Sequence, residues 1–107
     1  MAKAYKILGQ SAPSAASLTT VYTAPSGTNN VGIVYVCNRS ATQTFFRIAI
    51  RKSGALINDK HYIAYDCPID GNVSMNFKNL SFQSSDAVDV YATDATLSFS
   101  LFGCEIT

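Results

Sequence analysis

Apolar side chains recur in this chain at every second position, in short runs broken by turn-forming residues, and that period of two constrains the fold more than any other feature. The stretch Val31 to Arg51, VGIVYVCNRSATQTFFRIAIR, carries it most fully. Val31, Ile33, Tyr35 and Cys37 share one face of a strand and Val34 and Val36 the other, so both faces are apolar. A central strand covered on both sides has that pattern. After a loop rich in Asn, Ser and Thr, Phe46, Ile48 and Ile50 alternate with Phe45, Arg47, Ala49 and Arg51, as in a strand with one face turned to solvent. The two strands and their short polar loop predict a hairpin.

Outside this stretch further strands are marked by alternation or, as at Ser17 to Thr23, by Thr, Val and Tyr content. Ala4 to Gly9 and Ser17 to Thr23 are strand candidates separated by a Pro13 loop, and APSGTNN at 24 to 30 is a run of turn formers. Ala55 to Lys60 is too short for an ordinary helix and reads as loop or a single helical turn. Tyr62 to Cys67 is a strand that Pro68, lacking an N–H, is expected to end. Val73, Met75 and Phe77 alternate with polar residues, and Leu80 and Phe82 are expected to tuck a connecting loop onto the core. Val88 to Ala92 and Leu97 to Cys104 complete the set. About eight strands and no helical periodicity predict an all-β, antiparallel β-sandwich or jelly-roll-like fold, with residues 1 to 107 as a single domain.

Composition narrows function by exclusion. Charged residues are 14% of the chain and the net charge is +1, against the Lys/Arg field on which nucleic-acid binding relies and against a basic membrane-surface helix. No apolar run approaches the length of a membrane-spanning helix, and MAKAYKILGQ has no apolar core of a secretory signal, so synthesis in the cytoplasm is expected. A surface this neutral suits packing against other protein copies.

No motif carries catalytic chemistry. His61 is the sole histidine, no GxSxG elbow accompanies it, and it reads as a polar residue at a loop-to-strand junction; the chain is expected not to be an enzyme and to use no cofactor. The aspartates stand singly and Cys37, Cys67 and Cys104 lack zinc-ligand spacing, so no metal site is expected. Each cysteine reads either as a small apolar residue in or beside a strand or as a partner in an inter-subunit disulfide, with Cys104 favoured for the latter because it lies near the C-terminus. Tyr62 and Tyr65 offer apolar area with a polar tip, and Arg39 flanks the central stretch; these three are the candidate partner contacts.

With the strands placed, AKAYKILGQ, LTTVYTAPSGT, VYVCNRSATQTFFRIAIR, KHYIAYDCPI and ATLSFSLFGCEIT give the chain a pattern that resembles small all-β virion proteins of tailed bacteriophages. The resemblance implies a non-enzymatic structural part of the particle, made in the host cytoplasm and located in the virion. It implies partners among the major capsid, neck or tail subunits and a homo-oligomer, with capsid decoration favoured over collar or tail. Where Cys67 and Cys104 stand, small or polar residues are expected of such proteins, and that departure favours disulfide cross-linking between subunits. The alternative expectation is a module of a tail or head fibre that binds a host-surface glycan through loop tyrosines.

Overall fold

The computed structural model describes residues 2 to 107. Eight strands, β1 (Lys3–Ser11), β2 (Thr19–Thr23), β3 (Asn29–Asn38), β4 (Thr44–Arg51), β5 (Tyr62–Ile69), β6 (Ser74–Gln83), β7 (Ala87–Ala92) and β8 (Leu97–Ile106), form two antiparallel sheets. Sheet A has the order β1-β8-β3-β6 and sheet B the order β2-β7-β4-β5. The all-β sandwich expected from the period of two is therefore the fold.

The strand order has a simple logic. β1 pairs with β8, β2 with β7, β3 with β6 and β4 with β5, so the first half of the chain pairs with the second half in reverse. One long antiparallel ribbon with β4 and β5 at its tip has been rolled up, and the pairs β3 with β8 and β4 with β7 close the roll. This is the jelly-roll arrangement of two Greek keys.

Between the sheets lies one core. Val34 and Val36 from β3, Phe46 and Ile48 from β4, Val88 and Val90 from β7, and Leu97, Phe99 and Leu101 from β8 are all buried, and every one of them belongs to an inward set of the alternation. Phe46 meets Phe99 and Phe77 edge to face, at ring separations of 6.3 and 6.0 Å. Each fully enclosed side chain of this size contributes about 1.5–3 kcal/mol of transfer free energy.

Three expectations change. β3 and β4 are not a hairpin, because they lie in different sheets. The corner between them is built by Asn38, whose buried amide donates to the carbonyls of Thr42, Ile69 and Asp70 while its carbonyl oxygen accepts from the Ser40 N–H. Those bonds tie the β3–β4 loop to the β5–β6 turn and swing the chain across the sandwich. Gly71 permits the approach, since a Cβ there would stand 2.2 Å from the Ala41 carbonyl oxygen. β5 runs on through Pro68, paired with Phe45, to Ile69. It is an edge strand, where a missing N–H is tolerated. Leu80 and Phe82 belong to β6 rather than to a loop, because a bulge at Lys78 and Asn79, with Asn79 at φ 61°, resets the register and lets the strand continue. The β4–β5 connection is loop over 55 to 58, one of the two readings of this stretch, set between two short 3₁₀ turns, Lys52–Gly54 and Asp59–His61.

Phe99 is 1% exposed at the centre of the aromatic cluster. Phe99→Ala is expected to cost about 3–5 kcal/mol in denaturant unfolding, the range for emptying a buried phenylalanine site. A loss near 1 kcal/mol would place the centre of the core elsewhere.

Candidate functional site

The outward face of β3 is not covered. Val31 and Tyr35 are 47% and 40% exposed while their neighbours Val34 and Val36 are sealed. The expectation of a strand buried on both sides is corrected here: both faces are apolar, but a jelly roll of two layers provides cover for only one of them. Across sheet A the register brings Val31 beside Cys104, Ile33 beside Phe102, and Phe102 in turn beside Ile7 of β1. Tyr5 sits one step along, paired with Cys104 and 79% exposed. Tyr35 and Phe102 stack edge to face at 5.7 Å. The result is a continuous apolar stripe over three strands on the outside of the protein.

Both edges of the sheet bend at one level of this stripe. The β1 register shifts between Ile7 and Gly9, and the β6 register shifts opposite Ile33, so bulges flank the Ile7–Phe102–Ile33 row on either side. Bulged edges twist away from regular pairing, which discourages strand addition there and leaves the face between them hollow. The hollow is an open groove of about 920 Å³ lined by Tyr5, Ile7, Val31, Ile33 and Phe102, with Lys6, Lys78, Asn79 and Ser81 at its margins. Isolated exposed apolar residues are ordinary, but a contiguous patch bordered by polar groups marks a site of contact with another molecule.

The margin is anchored at one end by charge. Glu105 accepts from the Tyr22 hydroxyl at 2.5 Å and pairs with Lys6 at 2.6 Å, joining β1, β2 and β8. The hydrogen bonds from Lys6 and Tyr22 hold the Glu105 carboxyl below the usual glutamate range. Burial, and after it the Glu105 carboxylate, raise the Tyr22 phenol well above its ordinary value. A depressed carboxyl stabilises the fold above its unfolded pKa, and that contribution disappears as pH falls through the folded pKa. Glu105→Gln is expected to flatten the acid limb of a stability-against-pH curve below about pH 5, the region in which a glutamate of the unfolded chain begins to take up protons. An unchanged acid limb in the variant would assign the effect to other carboxylates.

The outward face of sheet B is chemically different. The Arg47 guanidinium lies 4.2 Å from the ring centre of Tyr65 and 4.3 Å from that of Tyr91, and its Nε donates to Asp66 at 2.7 Å. Tyr62 meets Tyr65 edge to face at 4.9 Å. Farther along β4, Arg51 pairs with Asp89 at 2.7 Å and donates to the carbonyls of Gly54 and Ala55, which fixes the start of the β4–β5 loop. Burial raises the Asp86 carboxyl, but the backbone N–H groups of Ser53 and Gln83 and the charge of Lys52 outweigh it and leave the group below the usual aspartate range.

Of the residues singled out from the sequence, Tyr62 and Tyr65 are brought together on sheet B, and Arg39 is not with them. The Arg39 guanidinium donates to the Ala95 carbonyl at the β7–β8 turn. The three cysteines are free thiols; Cys37 and Cys67 are half-buried, whereas Cys104, the one favoured for cross-linking, is 4% exposed and lines the floor of the sheet A groove between Tyr5 and Val31. His61 is buried, with Nδ1 accepting from the Asn58 N–H at 2.9 Å, and so closes the β4–β5 loop. Among the described residues no group of three or more His, Cys, Asp or Glu is placed to hold a metal ion. The sheet A groove was missed because its residues read as core: Val31, Ile33 and Tyr35 carry the signal, in a strand apolar on both faces. No protein-family model matches the chain, and neither curated proteins nor solved structures match it.

Proposed function

We propose that the chain is a non-enzymatic structural protein of a bacteriophage particle, held to a neighbouring subunit of the capsid, neck or tail through the outward face of sheet A. The single observation that carries this reading is the uncovered apolar stripe of Tyr5, Ile7, Val31, Ile33 and Phe102, on a fold that also builds viral capsid domains. The sequence stretches that resemble small virion proteins cover β1, β8 and β3 from Val34 onward in sheet A, and β2, β4 and β5 in sheet B. Its mechanism is burial of that stripe, with the bulged edges keeping unwanted strand pairing low.

A second reading, a glycan-binding module, is favoured by a different surface. Jelly rolls also serve as lectin domains, and Tyr62, Tyr65 and Tyr91 gathered round Arg47 make a rigid aromatic platform on sheet B. Two substitutions separate the readings. Ile7 is 54% exposed and pairs with Phe102, so Ile7→Asp should leave the protein folded at a cost of about 1 kcal/mol, the span of strand preferences, while reducing incorporation into particles at least tenfold. Tyr65→Ala should leave incorporation unchanged. Incorporation that survives Ile7→Asp would overturn the structural reading, and glycan-array binding lost in Tyr65→Ala would establish the second.

A further inference from the structure

β1 stands at one edge of sheet A, and no residue in it is buried. Its bonds are to β8: the ladder from Lys3 with Ile106 to Ser11 with Phe99, the Lys6–Glu105 ion pair, and the bond from the Gln10 amide to the Ser100 hydroxyl. The backbone pair of Ala2 with Thr107 extends the ladder beyond its end. Leu8 is the side chain that β1 packs against the core. Gly9 lies against β2, where a Cβ would stand 2.3 Å from the Val21 carbonyl oxygen. An edge strand bound in this way can come away while the core between the sheets stays closed.

The segment that joins β1 to β2, residues 12 to 18, is strained where it turns. Ala16 has φ 55°, a left-handed conformation in which its Cβ crowds the following carbonyl oxygen. The other non-glycine residues of this kind among those described are Ser53, Asp66, Asn72, Asn79 and Ser85. Each has a polar side chain able to bond nearby backbone, whereas Ala16 has only a methyl group. The Ala16 N–H donates to the Ala92 carbonyl at 2.8 Å, and apart from Pro13 and Ser17 the segment is exposed. A short connection strained in its closed form favours an open one, in which the chain runs on and the strand seats on another molecule.

We infer that β1 is exchanged between two copies of this chain, each laying its β1 along the β8 of the other. The bonds themselves fix the partner. The surface that receives β1 is this chain's own β8, matched to it residue for residue, so an exchanged strand keeps these contacts and relieves the strain at Ala16. The exchange is mutual and closes a dimer. It also makes the sheet A groove a joint site, since Tyr5, Lys6 and Ile7 then come from one copy and Val31, Ile33 and Phe102 from the other. The short connection holds β1 near its own β8 at an effective concentration on the order of millimolar, so exchange competes at similar protein concentrations and hinge strain tips the balance. Exchange does not depend on what the groove contacts.

The test is size-exclusion chromatography with light scattering on the full chain refolded from denaturant at about 1 mM, a concentration that matches the tether. Wild-type protein should contain a dimer beside the monomer. Ala16→Gly removes the strain and should lower the dimerisation constant by about tenfold or more, because each dimer opens two hinges. Ala16→Val increases the strain and should raise the constant by about as much. Gln10→Cys with Ser100→Cys reports which chains are joined, since these residues pair between β1 and β8. After oxidation the dimer should run as two linked chains on a denaturing gel without reductant, and the monomer as one. Without the introduced pair the dimer should run as single chains. Lys3→Cys with Ile106→Cys, also paired, serves should the first pair not oxidise. Should Ala16→Val lose its fold by circular dichroism, Ala16→Gly and the cross-link decide. Wild-type and Ala16→Val protein that are both monomeric overturn the inference. So do a dimer whose introduced bond stays within single chains, a dimer linked by the native thiols, and a dimer fraction that stays the same across the Ala16 variants.

Discussion

The ladder between β3 and β8 holds the molecule together. It runs without a bulge for ten residue pairs, from Asn29 with Ile106 to Asn38 with Leu97, while every other pairing except β4 with β7 breaks register at least once. It joins strands far apart in sequence and thereby closes the roll. Its inward row supplies Val34, Val36, Phe99 and Leu101 to the core, and its outward row supplies Val31, Ile33, Tyr35 and Phe102 to the surface. Fold and candidate function therefore share one pair of strands. Register fixes both, because a slip of one residue would exchange the two rows.

That sharing explains why the edges are irregular. A regular four-stranded sheet with an apolar outer face and two long edge strands is prone to pair without limit through its edges. β1 and β6 are both long, at nine and ten residues, and both are bulged beside the Ile33–Phe102 row. The irregularity leaves the apolar face available while making the edges poor templates. Sheet B solves the same problem with charge: Arg47 with Asp66 and Arg51 with Asp89 give its outward face paired ionic groups and stacked tyrosines in place of bare aliphatic surface.

Much of this was legible in the sequence. Alternation, with strand-favouring Thr, Val and Tyr content at Ser17 to Thr23, located about eight strands and gave Phe46 and Ile48 a buried face, because a period of two follows directly from strand geometry. Which sheet each strand joins was not legible. The Asn38 corner looks locally like a hairpin loop, since its decisive bonds reach Ile69 and Asp70, some thirty residues away. The groove was hidden for a related reason: an apolar outward row looks the same whether a third layer covers it or nothing does. Arg47 was read as a solvated charge, and only the register of β5 and β7 brings Tyr65 and Tyr91 to its two sides. The bulges at Leu8 and at Lys78–Asn79 leave no mark in hydropathy, although an asparagine in the left-handed region is a residue type suited to that position.

The claim on which the account turns is that the outward face of sheet A is covered when the protein is at work, and hydroxyl-radical footprinting of free chain against intact particles measures it most directly. Tyr5, Tyr35 and Phe102 should lose most of their reactivity in the particle, while Tyr62 and Tyr65 on sheet B keep theirs. Equal reactivity of Tyr5, Tyr35 and Phe102 in both states would contradict the account, and protection confined to Tyr62 and Tyr65 would move the working surface to the other sheet.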